Sequence, residues 1–308
     1  MTMFKLLANR NFIFILAITL GLVLPGPAAW TSKLMIPALA LVMSLATIAV
    51  PNDYFLKLRS ILLPSLSGII MTYVVLGGVI LAAAALLISD RNIWIGFVLI
   101  AAMPPAVAVI PFTALLEGNV SHTLSGTVSS YLAALLIMPL MLRIFIGTGF
   151  ADPYELFRIM LLLIILPLVL SRLILYFQMQ ERIAPVRGIL TDWGFFIVLY
   201  SIIGVNRDLI FAKPLMALPV IMVVLLATFV LGFAIAKIGG FFRINRKDII
   251  SLVLLGTLKN QGIAGGLALV LFEKDAALPS AFYSIFMILY FLWLDWQKRR
   301  QSPTAVKG

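Results

Sequence analysis

Three polar residues stand side by side in the middle of an apolar run at 248–272: Lys259, Asn260 and Gln261, with Gly262 after them. Lys259 lies about 11 residues from each end of that run. A charge at the centre of a bilayer costs about 3 kcal/mol on insertion scales, so it persists where it faces a cavity or a partner. The two carboxamides offer donors and acceptors without charge. No acid stands mid-run anywhere in the chain; Asp192 and Glu117 are nearest in kind, and both fall at run ends. A buried ammonium without a carboxylate can lose its proton, bind an anionic substrate, or occupy the place of a metal cation. A lysine that snorkels to the interface is the structural alternative.

A second polar set sits in the first half. The run at 93–116 is interrupted by Met103-Pro104-Pro105 and again by Pro111, with Thr113 beyond it. The run at 121–146 carries hydroxyls at two interleaved spacings, Thr123 with Thr127, and Ser121 with Ser125 and Ser129. Four-residue spacing stacks each set on one helix face. Packing of small polar residues between membrane helices accounts for most of them, with Thr127 the candidate ligand. His122, the single histidine, falls at the start of that run and reads as a surface residue. Asp192 before Trp193 reads as a helix cap, and Glu117 before Gly118-Asn119 as a loop residue.

The elements that must position these groups follow from composition. Of 308 residues, 63% are hydrophobic and 11% charged, unlike soluble domains, which are about half apolar and a quarter charged. Continuous apolar runs without in-out alternation predict membrane helices and exclude barrel strands. The runs fall near 12–29, 34–50, 60–88, 93–116 and 121–146, then 155–177, 186–204, 213–239, 248–272 and 276–295. Residues 1–29 read as a first span in preference to a signal peptide. The expected fold is therefore all-α and polytopic, ten transmembrane helices in one integral membrane domain over 1–308.

Ten spans split into two sets of five, repeat 1 at about 12–146 and repeat 2 at about 155–295. An odd number per set makes the halves run oppositely. The fourth member of each half is the interrupted one, and paired interruptions point to broken helices crossing at the membrane midplane, where carriers bind substrate and ion. Fifteen Lys and Arg fall on the amino-terminal side against five on the other. The positive-inside rule then puts both termini in the cytoplasm of a protein integral to the plasma membrane, the inner membrane of a bacterium. The net charge of +11 serves that orientation, and nucleic-acid binding is not expected. With no cysteine there is no disulfide and no thiolate metal site; no cofactor and no metal is expected.

The stretch from Pro104-Pro105-Ala106 through Leu116-Glu117-Gly118-Asn119, and the Ser/Thr-rich run to Pro139, resemble the fourth and fifth spans of the bile acid:sodium symporter family. Lys259-Asn260-Gln261-Gly262 resembles its second crossing helix; Pro37 to Met43, and Pro64 with Gly68, look like its second and third spans. The resemblance implies ten helices in two inverted repeats, panel and core subdomains, and sodium-coupled uptake of organic anions by alternating access. It also implies cation-site equivalents at Val109 and Ile110 in place of a Ser-Asn pair, at Thr123 and Thr127, at Leu255 in place of a glutamate, and at Lys259 and Thr72 in place of glutamines. Valine, isoleucine and leucine side chains offer sodium no oxygen. Asn260 keeps a residue that the family places beside substrate.

The function expected is secondary-active transport of a small organic anion, carboxylate-like or bile-acid-like, without sodium and with Lys259 in the place of the coupling cation. Proton coupling follows if the amine gains and releases a proton in the cycle. The expected substrate contacts are Lys259, Asn260, Gln261, Pro111, Thr113 and Thr127, and the partners are the anion, protons and the lipid bilayer. Two alternatives stand beside this: a non-transporting sensor or scaffold of the same fold, and a sodium symporter with a relocated site. Enzymatic chemistry is not expected, since no nucleophile elbow or acid pair falls in a span.

Overall fold

The computed structural model describes residues 7–48, 58–106, 108–147, 158, 162, 165–212 and 214–301. Parts of the predicted second and sixth spans (49–50, 155–157, 159–161 and 163–164), together with Lys5, Lys57, Lys213 and Lys307, lie outside the described residues.

Among the described residues every regular element is helical. The first half comprises α1 (Arg10–Val23), α2 (Met35–Thr47), α3 (Leu58–Ile69), a π-helical stretch Ile70–Leu76, α4 (Gly77–Leu87), α5 (Arg91–Ala102), α6 (Val109–Leu115) and α7 (Val120–Phe145). The second comprises α8 (Leu166–Tyr176), α9 (Gln180–Ala212), α10 (Pro214–Leu225), a π-helical stretch Leu226–Val230, α11 (Leu231–Phe241), α12 (Arg246–Leu255), α13 (Gln261–Leu271) and α14 (Leu278–Gln301). Five helical segments are long and apolar enough to cross a membrane: Leu62–Leu87, Val120–Phe145, Gln180–Val205, Ala217–Phe241 and Lys274–Lys298. Shorter apolar helices lie at Phe12–Val23, Ala28–Val42, Arg91–Ala102 and Gln261–Leu271. The protein is an all-helical membrane protein.

Asparagine and aspartate side chains start several of these helices by accepting from amides that a first turn leaves without partners. Asn9 accepts from Phe12 N, Asp90 from Asn92 N and Ile93 N, Asn119 from His122 N, and Asn245 from Lys247 N. Glycines set a close approach between α3 and α7: a Cβ on Gly68 would collide with the Gly126 backbone. Small residues at such crossings allow the backbone contact that membrane helices use in place of a hydrophobic driving force.

The helices that flank the breaks form the interior. Every residue from Phe97 to Ala102 in α5 is fully buried, as are Ala264 and Ala268 in α13. α9 packs along α1 and α2, while α14 packs against α13, α10 and α5. Two features recur in both halves. Each has a helix widened by a π-helical stretch with a buried threonine, Thr72 or Thr228. In each, a buried tyrosine of a long helix donates to a backbone carbonyl at a break 26 residues upstream: Tyr131 Oη to Pro105 O and Tyr283 Oη to Thr257 O, both 2.8 Å.

Candidate functional site

Two interruptions build the site. α5 ends at Ala102 because Pro104 and Pro105 have no amide hydrogen to continue its ladder. In a continuing helix those amides would have served the Ile100 and Ala101 carbonyls. Met103 N reaches back to Ile100 O at 3.1 Å, which leaves the Ala101 carbonyl to be met from elsewhere. In the second half, Gly256 to Asn260 separate α12 from α13. The two breaks run antiparallel and pair through their backbones, Ala106 N to Leu258 O at 3.1 Å and Asn260 N to Pro104 O at 2.9 Å, around an isolated bridge between Pro105 and Lys259. The backbone groups freed by one break are thus satisfied by the other, as buried peptide groups must be.

Lys259 emerges from this pair with no solvent exposure. Its Nζ donates to Ala101 O and to Met103 O, each at 2.7 Å, and stands 4.5 Å from the centre of the Tyr73 ring. An ammonium would have three donors; two carbonyls accept from the amine here and one aromatic face lies beside it. The carbonyls belong to the last turn of α5, where helix dipoles concentrate negative potential. Among the described residues no carboxylate pairs with Lys259.

Around the amine, Asn260 Nδ2 donates to Tyr131 Oη at 3.0 Å, and that hydroxyl donates to Pro105 O. Asn260 Oδ1 meanwhile caps α13 by accepting from Ile263 N. Gln261, buried, directs Nε2 at Met287 Sδ, 2.9 Å away. Thr72 Oγ1 donates to Leu255 O at 3.3 Å. Thr113 Oγ1 bonds Val109 O at 2.8 Å and Thr123 Oγ1 at 3.0 Å. The Thr127 hydroxyl, buried, has no hydrogen-bond partner among the described residues. Val109 and Leu255 are fully buried aliphatic side chains, and Ile110 is partly buried beside Val109 in α6. Pro111 falls within α6, whose helix continues through it.

The candidate residues therefore divide. Lys259, Asn260 and the first break meet directly. Thr113, Thr123 and Val109 form a separate cluster between α6 and α7, not bonded to the amine. The reason lies in reach: Nζ is taken by the carbonyls of the α5 end before it can extend to α7. Beyond the residues expected from the sequence, the site includes Tyr73, Tyr131 and the two carbonyl acceptors. The tandem prolines held the signal for the carbonyls, since they imply orphaned oxygens upstream. Nothing in the spacing of the two tyrosines pointed to them.

Two of three polar residues outside the crossing differ from the expectation. Asp192 is no cap; it lies inside α9, buried, with Arg10 Nε 2.6 Å from its carboxylate, which ties α1 to α9. His122 is drawn inward, because Ser67 and Asp248 converge on it: Nε2 is 2.9 Å from Ser67 Oγ and Nδ1 3.4 Å from Asp248 Oδ1. That Ser-His-Asp series is not arranged for nucleophilic attack. Ser67 gives its proton to Pro64 O at 2.9 Å and so accepts from the ring, the reverse of what activating a hydroxyl requires. Glu117 is a loop residue as expected, with φ of 61°. It pairs with Lys298 Nζ at 2.8 Å, and that bond, with the nearby Arg246 and Lys247 charges, holds its carboxyl below the usual range.

The chain is 22% identical over 93% of its length, and 90% of the relative's, to the "Uncharacterized sodium-dependent transporter YocS" of Bacillus subtilis (strain 168). It is 25% identical over 60% of its length, and 61% of the relative's, to the "Uncharacterized protein YbaS" of the same organism. Residues 36–213, more than half of the chain, match the Sodium Bile acid symporter family. Helices of membrane-spanning length, two interrupted helices paired through their backbones and this match lead to one conclusion: the chain belongs to the Sodium Bile acid symporter family and is a membrane transporter.

Proposed function

We propose that this transporter is a secondary carrier of a small organic anion that works without sodium, with the Lys259 ammonium as a tethered cation. One observation carries the reading: a fully buried amine on two helix-end carbonyls, with no carboxylate paired to it among the described residues. Carbonyl oxygens at a helix carboxyl end are the kind of donor that holds a bound cation in broken-helix carriers, and the ammonium meets them at hydrogen-bond distance. The side chains of Leu255, Val109 and Ile110 offer sodium no oxygen. Proton gain and loss at the amine would supply the coupling that sodium supplies elsewhere, with Asn260, Gln261, Pro111, Thr113 and Thr127 lining the path of the anion.

The carrier is built as ten spans in two inverted repeats, divided into panel and core, with both termini in the cytoplasm. Support comes from the paired breaks, the paired π-helical stretches and the matched tyrosine-to-carbonyl bonds. Alternating access then moves the crossing against the panel.

A sodium-coupled carrier is the second reading, favoured by the partnerless Thr127 hydroxyl and by the sodium dependence in the name of the Bacillus relative. Uptake by proteoliposomes of a panel of small carboxylates and one bile acid, in sodium and in choline buffers, separates the two. The proposal expects equal uptake in both. Uptake that requires sodium would reject it.

A further inference from the structure

Beyond the crossing, a cavity of about 360 Å³ opens at the basic end of the helices, among α11, α12 and α14. Phe233, Ile249, Tyr290 and Trp293 wall it, and Arg246 and Lys298 stand at its mouth. The mouth lies where the membrane-length segments Ala217–Phe241 and Lys274–Lys298 end, the depth of lipid headgroups. Tryptophan, here Trp293, is a marker of that interface. The walls therefore run toward hydrocarbon while the charge faces the headgroup layer.

The geometry points to this groove as a site for one anionic phospholipid of the adjoining leaflet, its phosphate on Arg246 and Lys298 and an acyl chain along Phe233 and Trp293. Charge complementarity selects the occupant. Among the described residues the lining holds two cations, Arg246 and Lys298, and no carboxylate; Glu117 pairs with Lys298 at 2.8 Å, and positive charge remains in excess. Arg246 also opens α12, where the helix dipole favours an anion. A zwitterionic lipid brings its own cation into that excess, whereas an anionic one does not. Lys298 donates as well to Leu115 O at 2.8 Å, at the end of α6; a phosphate on Lys298 is thus one side chain away from a half-helix of the crossing. Placing this leaflet on the cytoplasmic side rests on the orientation proposed above, but lipid retention is measured without transport and so stands or falls separately.

Native mass spectrometry of the purified full chain, exchanged into detergent with equal amounts of palmitoyl-oleoyl phosphatidylglycerol and phosphatidylcholine, tests the site. The wild type should retain one phosphatidylglycerol with about tenfold preference. Arg246→Gln should bring the two lipids to near equality, Arg246→Lys should keep the preference, and Lys247→Gln, outside the groove, should keep it too. Ala236→Trp, which fills the groove, should lower retention of both lipids. Equal retention by the wild type overturns the proposal, as does a preference unchanged in Arg246→Gln. So does an equal loss in Lys247→Gln, which would reveal diffuse charge, or release of the lipid by excess inorganic phosphate. Melting temperatures near the wild-type value show that each variant is folded.

Discussion

The Lys259 amine donates at 2.7 Å to the carbonyl of Ala101, an oxygen whose helical partner would have been the amide of Pro105, which proline lacks. A proline in one broken helix thus creates the acceptor that a lysine in the other fills. The two breaks are chemically complementary as well as adjacent, and the bond closes a crossing that Ala106 N and Asn260 N already clamp through the backbone.

Removing the amine leaves two buried carbonyls without that donor. Each unsatisfied buried acceptor costs about 1–3 kcal/mol, so Lys259→Met, similar in length and apolar, should lower stability by roughly 2–6 kcal/mol and abolish transport. Lys259→Gln keeps a donor and should lose less stability while still losing activity. Thermal unfolding in detergent, with uptake by reconstituted protein, measures both.

The Asn260, Tyr131 and Pro105 chain predicts coupling. Tyr131→Phe removes the donor to Pro105 O and the acceptor for Asn260, at about 1–3 kcal/mol. Asn260→Ala removes the other end and the cap of α13. Because the two share one bond, the double variant should be less destabilised than the sum of the singles by about 0.5 kcal/mol or more. Additive losses would show that the chain is not energetically connected.

The meeting of α3 and α7 predicts a steep size dependence. Gly68→Ala should destabilise and Gly68→Val should prevent accumulation of folded protein, since the added atoms meet the Gly126 backbone, which cannot swing aside. Gly78→Ala, where the space is open, should be neutral or slightly stabilising because alanine favours helix. Yield and melting temperature in the same detergent compare them.

Outside the spans, Glu117 gives a pH dependence. Its folded carboxyl is held low by Lys298, so its contribution is present above the ordinary carboxylate range, near pH 4, and fades as pH falls through the lowered folded value. Glu117→Gln should lower the melting temperature slightly at neutral pH, where exposure keeps the ion pair weak, and converge with the wild type as pH falls, which flattens the acid limb of the profile.

Much of this was legible in the residues. Pro104 and Pro105 announce a helix end, and Lys259 followed by two carboxamides announces a polar point in an apolar run; the structure pairs them. What the sequence could not supply is three-dimensional partnership. The distance from Lys259 to Ala101 depends on how two non-consecutive helices cross, and Tyr73 and Tyr131 reach the site only through a π-helical turn and helix packing. Asp192 misled for a related reason, since the arginine that recruits it lies 182 residues away in the chain, where no local pattern can reveal it.

Sodium linkage tests the central claim without knowing the substrate. A bound ion that favours the folded state raises stability by RT ln(1 + c/Kd), where c is the free ion concentration. With the Lys259 ammonium in place, melting temperatures of the purified protein in sodium chloride and in choline chloride of equal ionic strength should coincide at every concentration. A rise specific to sodium that grows with the logarithm of its concentration would contradict the account.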